Sequence, residues 1–239
     1  QAKSVLREML RAIEIWQVEE FNFFDEIFLM DDTETRLLLG LMAESEVRKK
    51  WRGLVHVNFV SKELIDLAKQ AGCTRLGVGI ETGCPEILST IGKGITIERA
   101  REAVETIREA GIHVETFFIL GFPNETETTA SMTCDLAVQL NTDTIAIGII
   151  TPYTGTEVYE MARKGEGGLQ LISEDWRDYD KYFSNALEID GLPISKLEHM
   201  QKQTLLRLYT ENHRYGDLFQ YIWKRRRSIL YSLRKRIGG

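Results

Sequence analysis

Cysteine is scarce. Cys73, Cys84 and Cys134 are three in 239 residues, an odd number at unrelated spacings. They make neither a disulfide framework nor a Cys-x-x-Cys metal knuckle. The four histidines, His56, His113, His199 and His213, show no Cys/His ligand spacing either. Long apolar runs are missing, because charge interrupts each one well short of a membrane span. There is no repeat or low-complexity tract, and Gln1-Ala2-Lys3 enters a helical pattern with no apolar leader before it. These absences predict a chain of a soluble, reducing compartment, the cytoplasm.

What is present is globular. A hydrophobic share of 43% and a charged share of 28% exclude a disordered chain. At roughly 150 residues per domain the length allows one to two domains, enough to close a barrel or cover a sheet on both faces. Charge is uneven: 30 Lys plus Arg stand against 36 Asp plus Glu, a net of −6. Residues 224–239 hold seven of the basic groups and no acid, leaving 23 against 36, or −13, over residues 1–223. An acidic body of this kind does not grip nucleic acid.

Val5, Leu6, Met9, Leu10, Ile13 and Trp16 recur at spacings of three and four, so an amphipathic helix is running by residue 5. A chain that opens with Gln inside a helix reads as a piece of a longer one. A two-beat rhythm follows. Strands are predicted at Glu20–Phe28, Leu54–Val60, Arg75–Ile80, His113–Leu120 and Thr144–Ile150. Helices are predicted between them at Glu34–Lys50, Ser61–Ala71, Thr96–Ala110 and Glu125–Leu140. Ala71-Gly72 and Ala110-Gly111 place a glycine where a left-handed helix cap would precede the next strand. This alternation specifies a parallel α/β sheet, curled or open. The rhythm stops after Ile150. Residues 173–223 read as helices without a clear strand, so the expected division is a barrel over residues 1–168 and a helical extension with a basic tail over 169–239.

In parallel α/β folds ligands gather at the carboxyl ends of the strands. Four loops there carry polar or glycine-bearing tips: Phe24-Asp25-Glu26, Gly79-Ile80-Glu81-Thr82-Gly83, Leu120-Gly121-Phe122-Pro123-Asn124-Glu125-Thr126 and Thr151-Pro152-Tyr153-Thr154-Gly155. Asp25 and Glu81 suit an ammonium or a ribose hydroxyl. Gly121-Phe122-Pro123 suits the edge of a planar ring, through bare peptide groups. Each loop alone is equally an ordinary turn, and Glu125-Thr126 is a natural helix start.

The order of these segments, with Glu63-Leu64 leading to Ala71-Gly72-Cys73 and with Ile91-Gly92-Lys93-Gly94-Ile95-Thr96, resembles the radical S-adenosylmethionine enzymes. The most similar group joins a cobalamin-binding domain to the radical domain. The likeness runs from about Ala2 to Tyr159 and weakens through Trp176-Arg177-Asp178-Tyr179. It implies a partial (β/α)6 barrel that holds S-adenosylmethionine against a [4Fe-4S] cluster, with an electron donor such as flavodoxin or ferredoxin. Carried over, Asp25 would lie near the methionine moiety or substrate. Glu81 and Thr82 would contact the methionine group or ribose. Gly121, Phe122 and Glu125, with Thr151 and Tyr153, would surround the adenine. The family's Cys-x-x-x-Cys-x-x-Cys cluster loop has no counterpart here, so the first strand and that loop are expected to be missing. The implied cluster ligands, and any cobalamin domain, then lie outside this chain. His56 and Asn58 stand where related sequences often carry arginine and aspartate.

Two other readings stay open: a barrel lyase or aldolase with Lys93 as its amine, and a non-catalytic binding module. Cys84, in a Gly-Cys-Pro turn beside Glu81, reads first as an unreactive helix start, and is the one thiol that could be exposed near the rim. The run Lys224–Arg236, basic at both ends and apolar between, suits a solvated helix, a helix against another domain, or peripheral membrane contact. No motif identifies a substrate, small molecule or peptide.

Overall fold

The computed structural model describes residues 1–45, 48–179 and 186–223. The basic tail lies outside them. Helix α1 (Ala2–Trp16) leads to β1 (Glu20–Asn22), α2 (Thr33–Glu44), β2 (Lys50–Val55), α3 (Lys62–Gln70) and β3 (Cys73–Glu81). Next come α4 (Pro85–Thr90), α5 (Ile97–Glu109), β4 (His113–Leu120), α6 (Glu127–Leu140) and β5 (Thr144–Ile149). The chain closes with α7 (Glu157–Lys164), β6 (Leu169–Leu171), β7 (Leu187–Ile189) and α8 (Ile194–Glu211).

Strands β1 to β5 pair in sequence order, all parallel, and form a curled half-barrel. The fold is thus the α/β partial barrel with a helical C-terminal part that the alternation predicts. Local chemistry sets the helix starts. Asp32, Ser61, Thr96, Thr126 and Thr156 each accept a backbone N–H from three residues on, capping α2, α3, α5, α6 and α7. Gly72 and Gly111 take φ of 98° and 66°, the left-handed caps that let β3 and β4 begin at once.

Along β4, Val114, Thr116, Phe118 and Leu120 are buried, while His113, Glu115, Phe117 and Ile119 are only half-buried. The first set packs under α5 and α6; the second faces the open concave side. The core thus lies between the sheet's convex face and the helices. One edge of the sheet is guarded: Gln201 of α8 donates through Nε2 to the Ile147 carbonyl of β5 at 2.5 Å. Arg207 ties α8 to Asp135 of α6 at 2.7 Å.

The strand windows needed correction at the sheet's first edge. The segment expected as one strand over Glu20–Phe28 leaves the sheet after Asn22. Phe23 N–H still donates to the Arg52 carbonyl at 3.0 Å, exposed residues 24–27 bulge away, and Phe28 and Leu29 return to donate to the Leu54 carbonyl at 3.1 and 3.0 Å beside the Leu29–Val55 bridge. The second strand runs over Lys50–Val55, not Leu54–Val60. Trp51, Gly53 and Val55 are the buried alternate positions, and the Trp51 indole donates to the Ala71 carbonyl at 3.0 Å. Val57–Phe59 is a single 3-10 turn. Helix α2 stops at Glu44 rather than Lys50, because Lys50 already belongs to that strand. The segment read as strandless contains β7, which pairs antiparallel with β6.

Candidate functional site

Strand β3 shapes the mouth of the half-barrel. Its register against β4 shifts between Gly79 and Glu81, and Glu81 itself adopts φ 73°, rare for a residue with a side chain. That twist folds the carboxylate back over the strand: a Cβ on Gly79 would lie 2.6 Å from Glu81 Oε1 and 3.1 Å from Lys93 Nζ. Glycine at 79 therefore makes room for the pair. Lys93 donates to Glu81 Oε1 at 2.6 Å, each side chain about one-fifth exposed. The Lys93 loop is moored to the end of β2 by Asn58 Nδ2, which donates to the Gly94 carbonyl at 2.8 Å. His56 lines the same recess. Its pKa is lowered, first by burial and then by the Lys93 cation, so its imidazole is neutral at pH 7. Its Nδ1 accepts from the Asn58 amide at 3.2 Å.

Two cavities meet at this point, sharing Glu81 and Phe117. One, about 350 Å³, is lined by His56, Gly79 and Lys93 together with Glu26 and Ile27 of the bulged loop. The other, about 480 Å³, runs along Phe117, Ile119, Ala146 and Gly148 to Thr151 and Tyr153. Small residues on β5 leave a shallow apolar trough there, with polar groups at its rim.

Of the residues singled out from sequence, Glu81, Thr151 and Tyr153 line these cavities. Asp25 is exposed on the bulged loop, and its neighbour Glu26, not Asp25, faces the recess. Thr82 is fully buried and shapes the loop from behind. Its hydroxyl shares a 2.9 Å hydrogen bond with Thr133 of α6 and accepts from the Cys84 amide at 3.1 Å. Gly121, Phe122 and Glu125 are also buried. The Gly121 and Phe122 amides both donate to Glu125 Oε2, so these peptide N–H groups are engaged within the loop rather than bare. Burial pushes the Glu125 carboxyl up to about 7 against the opposing pull of those two amides. Its other oxygen, Oε1, is the one buried side-chain polar atom without a partner among the described residues.

Cys84 is fully buried as the first residue before α4, the helix-start position read for it, and its thiol donates to Glu86 Oε2 at 3.0 Å. Burial raises the thiols of Cys73, to about 12, and of Cys134. None of the three is in a disulfide, and no three Cys, His, Asp or Glu converge as a metal site among the described residues. This donor set does not fit a [4Fe-4S] cluster. The sequence suggests no chemical role for Lys93 beyond an amine nucleophile and none for Phe117, Ile119, Ala146 and Gly148. The alternation along β4 and β5 was the available signal for those four.

A parallel half-barrel whose polar strand ends surround a charged recess and an apolar trough defines the class: an α/β barrel protein with a ligand mouth at the carboxyl ends of its strands. The family model for the Radical SAM superfamily matches residues 2–137, and the chain belongs to that superfamily. It is 30% identical over 191 residues to an uncharacterized methyltransferase of Pyrococcus horikoshii, covering 80% of this chain and 39% of that protein. It is 27% identical over 164 residues to the bacteriochlorophyllide d C-12(1)-methyltransferase of Chlorobaculum tepidum, covering 68% of this chain and 34% of the relative. In fold it is similar to the radical S-adenosylmethionine methyltransferase TsrM of Kitasatospora setae, whose structure holds cobalamin and a [4Fe-4S] cluster. The TM-score is 0.62 at 22% identity, over 84% of this chain and 41% of TsrM. The chain thus spans about two-fifths or less of the length of these relatives. Among the described residues no helix is long and apolar enough to cross a membrane.

Proposed function

We propose that this chain is the S-adenosylmethionine-binding half-barrel of a radical enzyme that transfers a methyl group with the help of cobalamin. The observation that carries the reading is the Glu81–Lys93 ion pair at the junction of the two cavities. Adenosylmethionine ends in an ammonium and a carboxylate on one carbon, the same two charges in complementary order. Glu81 accepts hydrogen bonds from the ammonium and Lys93 donates to the carboxylate, so ligand entry exchanges one internal ion pair for two. An internal pair of this exposure is worth about 1 kcal/mol, which makes the exchange affordable. Phe117 and Ile119 give the adenosyl group an apolar floor, and Ala146 and Gly148 leave room above it. Thr151 and Tyr153 supply polar groups at the rim. The loop from Gly121 to Glu125 braces that wall from behind.

The cluster that the family carries supplies one electron for cleavage of a carbon–sulfur bond of the sulfonium. We assign its ligands, and a cobalamin-binding domain, to sequence outside this chain. Methyl transfer is favoured over rearrangement because two relatives and one fold neighbour are methyltransferases by name. An electron donor such as flavodoxin or ferredoxin belongs to the same proposal. A lyase with Lys93 as a free amine fits less well, because its ammonium is engaged by Glu81.

The test is calorimetric titration of the full-length protein with S-adenosylhomocysteine, followed by adenosylmethionine turnover after reconstitution with iron and sulfide and reduction. Saturable binding and release of either 5′-deoxyadenosine or S-adenosylhomocysteine are expected. A protein that binds neither nucleoside would refute the proposal.

A further inference from the structure

A third cavity, of about 320 Å³, lies lower on the concave face, between the end of β1, the middle of β2 and the first half of β3. Arg52 and Arg75 both line it, and they are direct register partners on β2 and β3. Asn22 is the partner of Arg52 on β1 and lines it too. Two guanidiniums side by side repel unless an anion lies between them. Glu115 only partly answers this charge: its Oε2 is 3.9 Å from Arg75 Nη1, the limit of an ion pair. Among the described residues the Arg52 side chain has no carboxylate partner. Phe24, 86% exposed, stands at the apolar edge, while the Phe23 ring is turned away, stacked on Phe28 and edge-on to Trp51. The cavity opens towards the mouth, because Leu54 and Gly77 line both spaces. A Cβ on Gly77 would stand 2.5 Å from Leu54 Cδ2 and 2.7 Å from Phe117 Cε2, so only glycine keeps this floor without displacing either side chain.

We propose that Arg52 and Arg75 form an oxyanion site that anchors a substrate bearing a carboxylate or phosphate on an apolar body. The inference rests on the reading above, in which the substrate enters the same half-barrel as the nucleoside. The two guanidiniums grip the oxyanion with fork-shaped donor sets, Asn22 adds an amide, and Phe24 covers the apolar part. The apolar body then extends past Gly77 towards the mouth, where the reacting carbon would lie.

The probes are phenyl phosphate and inorganic phosphate, titrated into the full-length protein by calorimetry at low salt. Phenyl phosphate is expected to bind more tightly than phosphate. Arg52→Gln and Arg75→Gln should each weaken it tenfold or more, and Phe24→Ala should erase its advantage over phosphate. Glu115→Gln removes the competing carboxylate and should tighten binding several-fold, a gain that misfolding cannot imitate. Binding of S-adenosylhomocysteine, which reads the mouth, should stay within twofold in the Arg52, Arg75 and Phe24 variants; Glu115 also borders the apolar trough and is left out of this control. Absence of phenyl phosphate binding in the unaltered protein, or equal binding in it and in both arginine variants, would overturn the oxyanion site. Loss of S-adenosylhomocysteine binding by the unaltered protein would instead overturn the reading on which it rests.

Discussion

Lys93 Nζ and Glu81 Oε1 lie 2.6 Å apart across the backbone of Gly79, so the mouth of the half-barrel holds a matched pair of charges before any ligand arrives. The two residues reach each other because Glu81 ends β3 in a left-handed conformation while the loop after α4 brings Lys93 back over the same strand.

Glu81→Gln and Lys93→Met should each weaken S-adenosylhomocysteine binding by about tenfold, roughly 1.4 kcal/mol. Their effect on stability should be smaller, within about 1 kcal/mol, since the pair retains some contact with water. Calorimetric affinities and urea melts separate the two. Unchanged affinity in both variants would detach the pair from ligand binding.

Thr133 supports the same loop from α6. Its hydroxyl meets Thr82 Oγ1 and accepts from the Gly83 amide, both at 2.9 Å and both buried. Thr133→Val should cost about 1–3 kcal/mol by leaving those groups unpaired. It should also loosen nucleoside binding by displacing Glu81. Thr133→Ser should restore both in denaturant melts and titrations.

Glu125 predicts a pH dependence. Its folded-state pKa is raised from 4.5 to about 7, so the folded protein holds this proton more tightly than the unfolded chain. Its contribution to stability is complete below about pH 4.5 and is lost as pH rises through about 7. The total loss is at most about 3.5 kcal/mol, at about 1.4 kcal/mol per pKa unit. Glu125→Gln keeps an oxygen acceptor for the Gly121 and Phe122 amides without the ionisable proton. Its denaturation midpoint should be flatter than that of the unaltered protein between pH 5 and 8. Parallel curves would show that the carboxyl is not held in its neutral form.

Gly121 turns the chain out of β4 at φ 94°, and a Cβ there would meet Ile189 Cδ1 at 2.8 Å and Ile150 Cγ2 at 3.0 Å. Gly121→Ala combines left-handed strain with overpacking and should destabilise by about 2 kcal/mol. A thermal melt within a degree of the unaltered protein would contradict the tight fit between this turn, β7 and the residue after β5.

Much of the fold was legible because its signals are local. Helix caps at Ser61, Thr96 and Thr126, glycine stops at Gly72 and Gly111, and the apolar run of β4 all act within a few residues. β2 escaped because its outward-facing positions, Lys50 and Arg52, are charged and hide the buried alternation of Trp51, Gly53 and Val55. β7 escaped because three residues carry too little period to be recognised before their partner β6 is known.

The sequence by itself determined the repeating strand–helix order and which loops would gather at one end of a parallel sheet. Both follow from neighbouring residues, through periodicity, caps and the geometry of crossovers. Only the tertiary structure decided which loop residues face the cavities and which brace them from behind. Glu81 turns outward to Lys93, twelve residues on, while Thr82 turns inward to Thr133 and Glu125 turns back to its own loop. Adjacent polar residues look alike in sequence, and a strand-end twist of one residue sends one to the cavity and the next into the core.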